Sequence, residues 1–403
     1  MSAIFTDKIK LQPTDSQRQG LRSLAGAARH AYNWGLNYWK SEYEAGRKPT
    51  GTYVRKEHTR IKAIEFPWTL EQSKHIPQIA CYDLHDAYQN FFAGRGNYPK
   101  FKSKYQARQG FGIQACDAKV EGKYLKIPKF PAIKIAVPRR LPGKVVGTVR
   151  VIVDACGDWW VTLPIRLDPE FKYRHRCESQ AAVGIDLGLR DTYTLSNGNK
   201  VRLVKRYRVS ERKLRRLQKS LARKKRGSRN REKARVRLAR CHRTIARKRS
   251  YDIHCETSKL VREHRILGIE DLNVRGMQAL FGKSLQDANF GEFRRQLQYK
   301  ATLSGSTVVV ADRWFPSSKT CSVCGCVREK LELGERSWVC SHCQTSHDRD
   351  VNAAVNLRNV AVRYTETQNI CGGVVRLSND REVVKKLMPW KQKSEVGQKS
   401  KTF

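Results

Sequence analysis

Four cysteines and three acids are the residues of this chain best suited to do chemistry. Cys321 and Cys324 are separated by two residues, fifteen residues follow, and Cys340 and Cys343 repeat the spacing. Thiolates suit Zn²⁺, and two close pairs complete a tetrahedron without needing a large core. Four protein ligands leave no position open, so such a site is structural, and metal binding of this kind supplies roughly 10 kcal/mol or more of apparent folding free energy. Cys326 is a spare thiol that could compete with Cys324, and His342 and His347 are alternative ligands. Directly behind the second pair stand Asp348 and Asp350, followed by the helix-forming run Asn352-Ala353-Ala354.

Two further acids sit in apolar surroundings. Asp186 lies in the strand-like run AAVGIDLG, and Glu270 ends the run RILGIE. An acid in an apolar strand is costly unless it is paired or metal-bound. Taken singly, each has a plainer role as a turn residue, and Asp350 could simply cap its helix. Together, three carboxylates from separate elements make a site for hard cations: oxygen ligands hold Mg²⁺ while leaving room for a phosphate and a water. Two ions about 3.5–4 Å apart then stabilise the attacking and leaving oxygens. The expected catalytic residues and Mg²⁺ ligands are therefore Asp186, Glu270 and Asp350, with two ions, or Mn²⁺ in their place. Asp191, Asp271 and Asp348 are expected in supporting roles.

Convergence of these acids depends on the order of the elements. After the strand holding Asp186, Asp191–Ser196 and Lys200–Val204 read as two more strands with Asn197-Gly198 as the hairpin turn. A helical excursion follows, then a strand over Arg265–Glu270, a helix marked by Phe293, Leu297 and Ala301, and a buried strand over Gly305–Ala311. The cysteine knuckle and a helix from Asp350 to about Val362 complete the series. That is the order of an RNase H-like fold. The excursion, residues 205–263, is expected to be a basic helical hairpin. Leu214, Leu217 and Leu221, then Leu238, Cys241 and Ile245, give narrow apolar seams on either side of Gly227-Ser228. Lys205–Arg249 carries 22 Lys and Arg against two Glu. A charge run is usually a solvated face, but self-repulsion of this size favours bound phosphate. Arg215, Arg216, Lys224, Lys225, Arg229 and Arg247 are the expected contacts.

Ahead of Ala181, residues 4–11 alternate as a short strand, and Thr14 with Gln17 makes a capping-box pattern. Apolar spacing then predicts helices to about Tyr43, over about Val54–Ile64 and over about Ile76–Phe92, a helical lobe spanning 12–96. Beyond it, prolines punctuate short strands at Tyr124–Ile127, Ile133–Val137, Val145–Val153 and Trp159–Ile165. These predict a small β-barrel or sandwich built from 1–11 and 97–180. Trp159-Trp160 reads as a pair of core aromatics rather than a base-stacking platform. The polar, lysine-rich tail over 364–403 is expected to be loosely ordered.

The whole chain of 403 residues carries 80 Lys and Arg against 37 Asp and Glu, a net charge of +43. A protein that basic repels itself unless a polyanion is bound, which points to nucleic acid. An anionic membrane is the competing polyanion, but there is no apolar run near 18 residues, no signal peptide and no lipidation motif, so nucleic acid is expected. The remaining cysteines are scattered without a disulfide framework, as in a reducing cytosol, so a cytoplasmic, nucleoid-associated protein is expected.

With these residues in place the chain resembles the TnpB family, the RNA-guided nucleases encoded by insertion sequences and related to type V CRISPR effectors. The resemblance is carried by VGIDLG (183–188), GIEDL (268–272), GEFRRQLQYKA (291–301), FPSSKTCSVCG and HDRDVNAAVNL, and extends to about Val362. It implies an α/β multidomain protein. Residues 181–314 and 347–363 would form a RuvC-like nuclease domain with Asp186, Glu270 and Asp350 as its active site. Residues 315–346 would be an inserted zinc ribbon held by Cys321, Cys324, Cys340 and Cys343, and a wedge β-barrel would carry an inserted recognition lobe. It further implies a monomeric ribonucleoprotein that binds a guide RNA from the transposon end and cleaves double-stranded DNA beside a short target-adjacent motif. Base pairing would carry the specificity while the protein reads backbone shape and the motif. By the same resemblance, Tyr53, Lys74, Gln78 and Gln114 would contact the motif, with Pro77 either kinking or starting their helix. Two other functions remain open from sequence: a guide-dependent DNA binder that never cuts, and a DNA-strand-transfer transposase. Three intact acids argue against the first.

Overall fold

A computed structural model of the chain describes residues 4–105, 109–136, 141–168, 171, 173, 176–332, 334–368 and 373–376. The chain divides into two compact units, Met1–Phe171 with Arg235–Ala239, and Lys172–Ala234 with Arg240–Phe403.

The first unit runs β1 (Ile4–Lys10), α1 (Asp15–Glu44), α2 (Gly51–Glu65), a 3-10 turn (Pro67–Glu71), α3 (His75–Phe92), β2 (Gly110–Gln114), β3 (Lys119–Glu121), β4 (Tyr124–Ile127), β5 (Phe130–Lys134), β6 (Gly143–Val145), β7 (Thr148–Val153) and β8 (Trp159–Leu167). Helix α1 starts where its capping box dictates: the Gln17 amide donates to Thr14 Oγ1 at 3.2 Å, and the Thr14 amide donates to Gln17 Oε1 at 3.0 Å. Pro77 lies in the first turn of α3, where its missing N–H removes no helical hydrogen bond, so it sets the start of the helix without kinking it. The strands form an antiparallel sheet in the order β1-β8-β7-β2, with β6 also on β8, and a three-stranded sheet β3-β4-β5. Among the described residues the two sheets meet through the bridge Leu11↔Ile135. The expected strand Val145–Val153 is broken at Gly147, whose φ is +66°, so β6 and β7 pair separately with β8. Helices and sheets share one core: Leu21, Leu36, Ile76 and Leu84 meet Ile113, Leu125, Val161 and Ile165. Trp159 is buried in it. Trp160 is half-buried, and its Nε1 donates to Asp154 Oδ2 at 3.1 Å.

The second unit runs β9 (Ala182–Leu187), β10 (Tyr193–Leu195), β11 (Lys200–Val201), α4 (Arg206–Ala222), α5 (Arg229–Glu263), β12 (Ile266–Ile269), α6 (Val274–Ala288), α7 (Phe290–Ser304), β13 (Thr307–Val310), β14 (Ser337–Val339), β15 (Ser346–Asp348), α8 (Arg349–Gln368) and β16 (Gly373–Arg376). Its six-stranded sheet has the order β11-β10-β9-β12-β13-β16. Strands β9, β12, β13 and β16 are parallel, and β10 and β11 antiparallel, as an RNase H-like order requires. Two helices, α4 and α5, stand on either side of Gly227-Ser228, with Ser228 capping α5.

Two expectations change. Helix α6 occupies a stretch in which the sequence showed no element. The tail is ordered further than expected: Tyr364 packs on Val309 and Val360, α8 continues to Gln368, and Val374 and Val375 pair with Val308 and Val309 as a sixth strand. Packing of one face of α8 and pairing of the short strand with β13 outweigh the polar composition there. The rest of the expected tail, 377–403, lies outside the described residues.

Candidate active site and thiol cluster

Strands β9 and β12 run parallel with Ile185 opposite Ile269. Asp186 and Glu270 therefore stand at the same level, at the carboxyl ends of neighbouring strands, where open α/β sheets place their ligands. Helix α8 brings Asp350 to them. It can do so because Gly184 and Gly268, also paired across β9 and β12, leave no side chain between sheet and helix. A Cβ on Gly184 would lie 1.8 Å from the Ala354 carbonyl oxygen, and one on Gly268 would lie 2.2 Å from that of Leu357. Strand and helix meet backbone to backbone.

The start of α8 separates two acids that look alike in sequence. Asp348 Oδ1 accepts from the amides of Asp350 (3.1 Å) and Val351 (3.0 Å), so Asp348 caps the helix. Its other oxygen takes Lys200 Nζ at 2.7 Å. Burial pushes the Asp348 carboxyl up, but the Lys200 hydrogen bond and charge and the two amides together hold it below the usual carboxylate range. Asp350 is thereby left out of the capping role and meets Arg336 Nη1 at 3.5 Å. The other supporting acids are also engaged. Asp191 pairs with Arg202 at 2.8 Å, and Asp271 with Arg294 at 2.5 Å and Arg313 at 3.6 Å.

Asp186 is raised well above the ordinary aspartate range, first by burial and then by the charges of Glu270 and Asp350, with Arg349 and Arg336 opposing. Burial also raises Glu270, against a hydrogen bond from Ser317 Oγ and the charge of Arg349. Three hard-oxygen donors share one field, and the charge of a divalent cation would oppose the upward push on Asp186 and Glu270.

The four thiols gather more tightly. Their sulfurs all lie within 4.8 Å of one another, and among the described residues no other group of three or more possible His, Cys, Asp or Glu ligands is drawn that close. Cys321 Sγ is 3.5 Å from Cys343 Sγ, and Cys324 Sγ is 3.6 Å from Cys340 Sγ. A tetrahedral zinc with 2.3 Å bonds sets its sulfurs about 3.8 Å apart, so the cluster could hold one. The alternative ligands have other places. His347 Nε2 lies 3.0 Å from Cys321 Sγ, a hydrogen bond to one of the four sulfurs. His342 is exposed, and Cys326 accepts the Cys321 amide with its carbonyl at 2.8 Å. Burial pushes the Cys324 thiol up to about 12, while hydrogen bonding to Thr345 pulls Cys343 down to about 6.

A buried network ties knuckle to acids. Asn356 Nδ2 donates to the carbonyls of Ser317 (2.8 Å) and Thr320 (2.7 Å), and Asn352 Nδ2 donates to that of Thr320 (2.7 Å). Asn352 Oδ1 accepts the Ser322 amide at 2.9 Å. The hydroxyl of Ser317 in turn holds Glu270. Sequence reasoning took Asn352 only as a helix former. The signal was present as Asn352 and Asn356 at i, i+4, a spacing that puts both amides on one helix face.

The expected nucleic-acid contacts fall in both units. Arg215, Arg216 and Lys224 line an open groove on α4 together with Arg212, Lys219 and Arg223. Lys225, Arg229 and Arg247 are exposed. In the first unit Lys74 is exposed at the cap of α3, Gln78 is half-buried in its first turns, and Gln114 is exposed at the end of β2. Tyr53 is exposed as well, though its hydroxyl donates to Glu42 Oε2 at 2.7 Å and its ring stacks on Tyr38.

Three family models match the chain: "Cas12f1-like, TNB domain" over residues 290–357, "Probable transposase" over 153–280 and "Helix-turn-helix domain" over 1–48. Within the last, the described residues form one strand and one long helix. A Streptomyces pristinaespiralis protein named "Putative RNA-guided DNA endonuclease" is 36% identical over 357 residues, 87% of each chain. The Escherichia coli K12 protein "Putative RNA-guided DNA endonuclease InsQ" is 28% identical, covering 89% of this chain and 92% of its own. Among solved structures, the Cas12f1 chain of a Cas12f1–sgRNA–target DNA complex shares the fold, with a TM-score of 0.53 at 13% identity over 86% of this chain and 83% of that one. No helix among the described residues is long and apolar enough to cross a membrane.

Proposed function

The chain belongs to the TnpB family of RNA-guided DNA endonucleases, and from that premise we propose that it hydrolyses double-stranded DNA at Asp186, Glu270 and Asp350 under the direction of a bound guide RNA. The reading is supported by Asp186 and Glu270 standing level at the ends of paired strands, by the charges of Glu270 and Asp350 both raising Asp186, and by the seating of α8 on paired glycines. Their carboxylate oxygens would hold Mg²⁺, which when bound supplies Lewis-acid stabilisation of the attacking and leaving oxygens. Ser317 fixes the Glu270 carboxylate. Arg336 and Arg349 offset part of the negative charge that Asp186 feels and can face a phosphate. The thiol cluster, holding zinc, keeps the segment between β13 and α8 rigid, so that Ser317 and Asp350 stay in register. The α4–α5 hairpin would take the RNA backbone. Tyr53, Lys74, Gln78 and Gln114 would read the target-adjacent motif from a wedge and recognition lobe in the first unit. The particle is read as one protein chain with one guide RNA, working on DNA in the nucleoid.

The test is to express the chain beside the ends of its own transposon, sequence the RNA that co-purifies, and challenge the complex with plasmids carrying a matched target and a randomised flank in Mg²⁺. Linearisation dependent on the guide and on one flank is expected. A defined RNA and tight target binding without any cutting would instead favour the non-cleaving reading.

A further inference from the structure

Trp314 is 80% exposed, the most exposed tryptophan among the described residues. Its loop is not loose. The Trp314 amide donates to Asp312 Oδ1 at 2.8 Å, the Phe315 amide to Asp312 O at 3.1 Å, the Ser317 amide to Phe315 O at 2.8 Å and the Thr320 amide to Pro316 O at 3.0 Å. Phe315 turns into the core against Val309 and Val360, while Trp314 turns out. On either side the loop grips acids: Arg313 Nη2 lies 3.6 Å from Asp271, and Ser317 Oγ holds Glu270. The loop also leaves the sheet at the right place. β13 pairs in parallel with β12, Val310 opposite Ile269, and the Ala311 amide donates to Ile269 O at 2.8 Å. Residues 312–317 therefore emerge at the same sheet edge as Glu270.

Singly exposed apolar residues are ordinary. A tryptophan standing off a hydrogen-bonded loop beside a carboxylate centre, with Arg313, Arg336 and Arg349 around the acids, combines a flat aromatic face with cations that suit a phosphate backbone. That pairing is how proteins hold single strands without reading sequence. We propose that Trp314 is a stacking platform for one unpaired nucleobase of the DNA strand that enters the Asp186–Glu270–Asp350 centre, holding the neighbouring phosphate in register for cleavage. The proposal rests on the nuclease reading. The strand is single at this point, because bases inside a duplex have no free face to offer.

The experiment uses the full-length complex with its guide RNA and a matched duplex, measured under single-turnover conditions for wild type, Trp314→Phe and Trp314→Ala. Trp314→Ala is expected to slow cleavage by about 5- to 150-fold, the range spanned by the loss of one stacked base, with guide and target affinities and Tm unchanged. Trp314→Phe should retain most of the rate. Abasic substitutions walked along each strand near the cut should reveal one position that slows wild type by a similar factor but slows Trp314→Ala no further. Equal rates for wild type and Trp314→Ala, or an abasic penalty undiminished in the variant, would overturn the stacking role while leaving the nuclease reading intact. A wild-type complex that does not cut removes that reading and this proposal with it.

Discussion

Replacing Gly184 with alanine adds one methyl group where β9 touches α8. The new Cβ would lie 1.8 Å from Ala354 O and 2.5 Å from the Arg358 amide nitrogen, both backbone atoms that no rotamer change can move. Carbon contacts at such positions do not fall below 3.0 Å, so strand and helix must separate by about 1.2 Å. Overpacking of this kind costs about 1–3 kcal/mol, or roughly 2–4 °C of Tm per kcal/mol in a domain of this size. The larger effect is on chemistry. Helix α8 carries Asp350 in its first turn, and misplacing a reacting group by about 1 Å can cost about 100-fold in rate. Gly184→Ala should therefore fold, bind guide RNA like wild type, and cleave about two orders of magnitude more slowly in a single-turnover assay. Gly291→Ala is the control, since nothing lies within 4 Å of its added Cβ, and it should change neither quantity. A Gly184→Ala protein that cuts within a few-fold of wild type would refute the argument that close backbone packing positions the third acid.

Other expectations follow from separate parts of the molecule. Elemental analysis should find one zinc per chain. Chelation or Cys343→Ser should lower Tm and, through the Asn352–Asn356–Ser317 network, slow cutting as well as unfold the knuckle. Combined reversal of Arg215, Arg216 and Lys224 to glutamate should weaken guide RNA binding and flatten its salt dependence by about 0.7 log units per lost phosphate contact; an unchanged slope would remove the α4 groove from the RNA site. Lys300 tests burial. Its ammonium donates to His254 O, Thr257 Oγ1 and Ser258 Oγ at 2.7, 2.6 and 2.9 Å, and desolvation lowers it to about 7 despite the charges of Cys255 and Glu292. The unfolded chain therefore holds the extra proton between about pH 7 and 10.5, so stability should rise with pH across that window. Below about pH 7 both states are charged and the burial cost is complete. Urea midpoints of wild type should climb from pH 7 to 9 more steeply than those of Lys300→Met.

Much of this arrangement was legible in the residues. Thiol spacing, an acid in each of two apolar strands, the Thr14–Gln17 capping box and the leucine seams of the hairpin each encode a local structure that survives folding. What escaped notice depends on partners distant in sequence. A glycine inside a strand pattern looks like a weakness, and only the α8 backbone opposite Gly184 and Gly268 shows why a side chain is excluded. The sequence already favoured Asp350 over Asp348 as a ligand, but that Asp348 and not Asp350 caps α8 shows only in the direction of its first turn. Helix α6 was hidden because Gly276 and Gly282 interrupt its apolar period. Strand β16 was hidden because Val374-Val375 is too short to outweigh its polar surroundings until β13 lies beside it. Tyr53 is exposed as a surface contact would be, but its bond to Glu42 shows only in the structure.

Cleavage of DNA by this chain requires that the three acids form one centre. Asp186→Ala, Glu270→Gln and Asp350→Asn, each assembled with guide RNA and compared with wild type in single-turnover cleavage of a matched plasmid in Mg²⁺, test this directly. The expected result is loss of cutting to background in all three, with guide RNA affinity unchanged. Wild-type cutting by any one of them would contradict it.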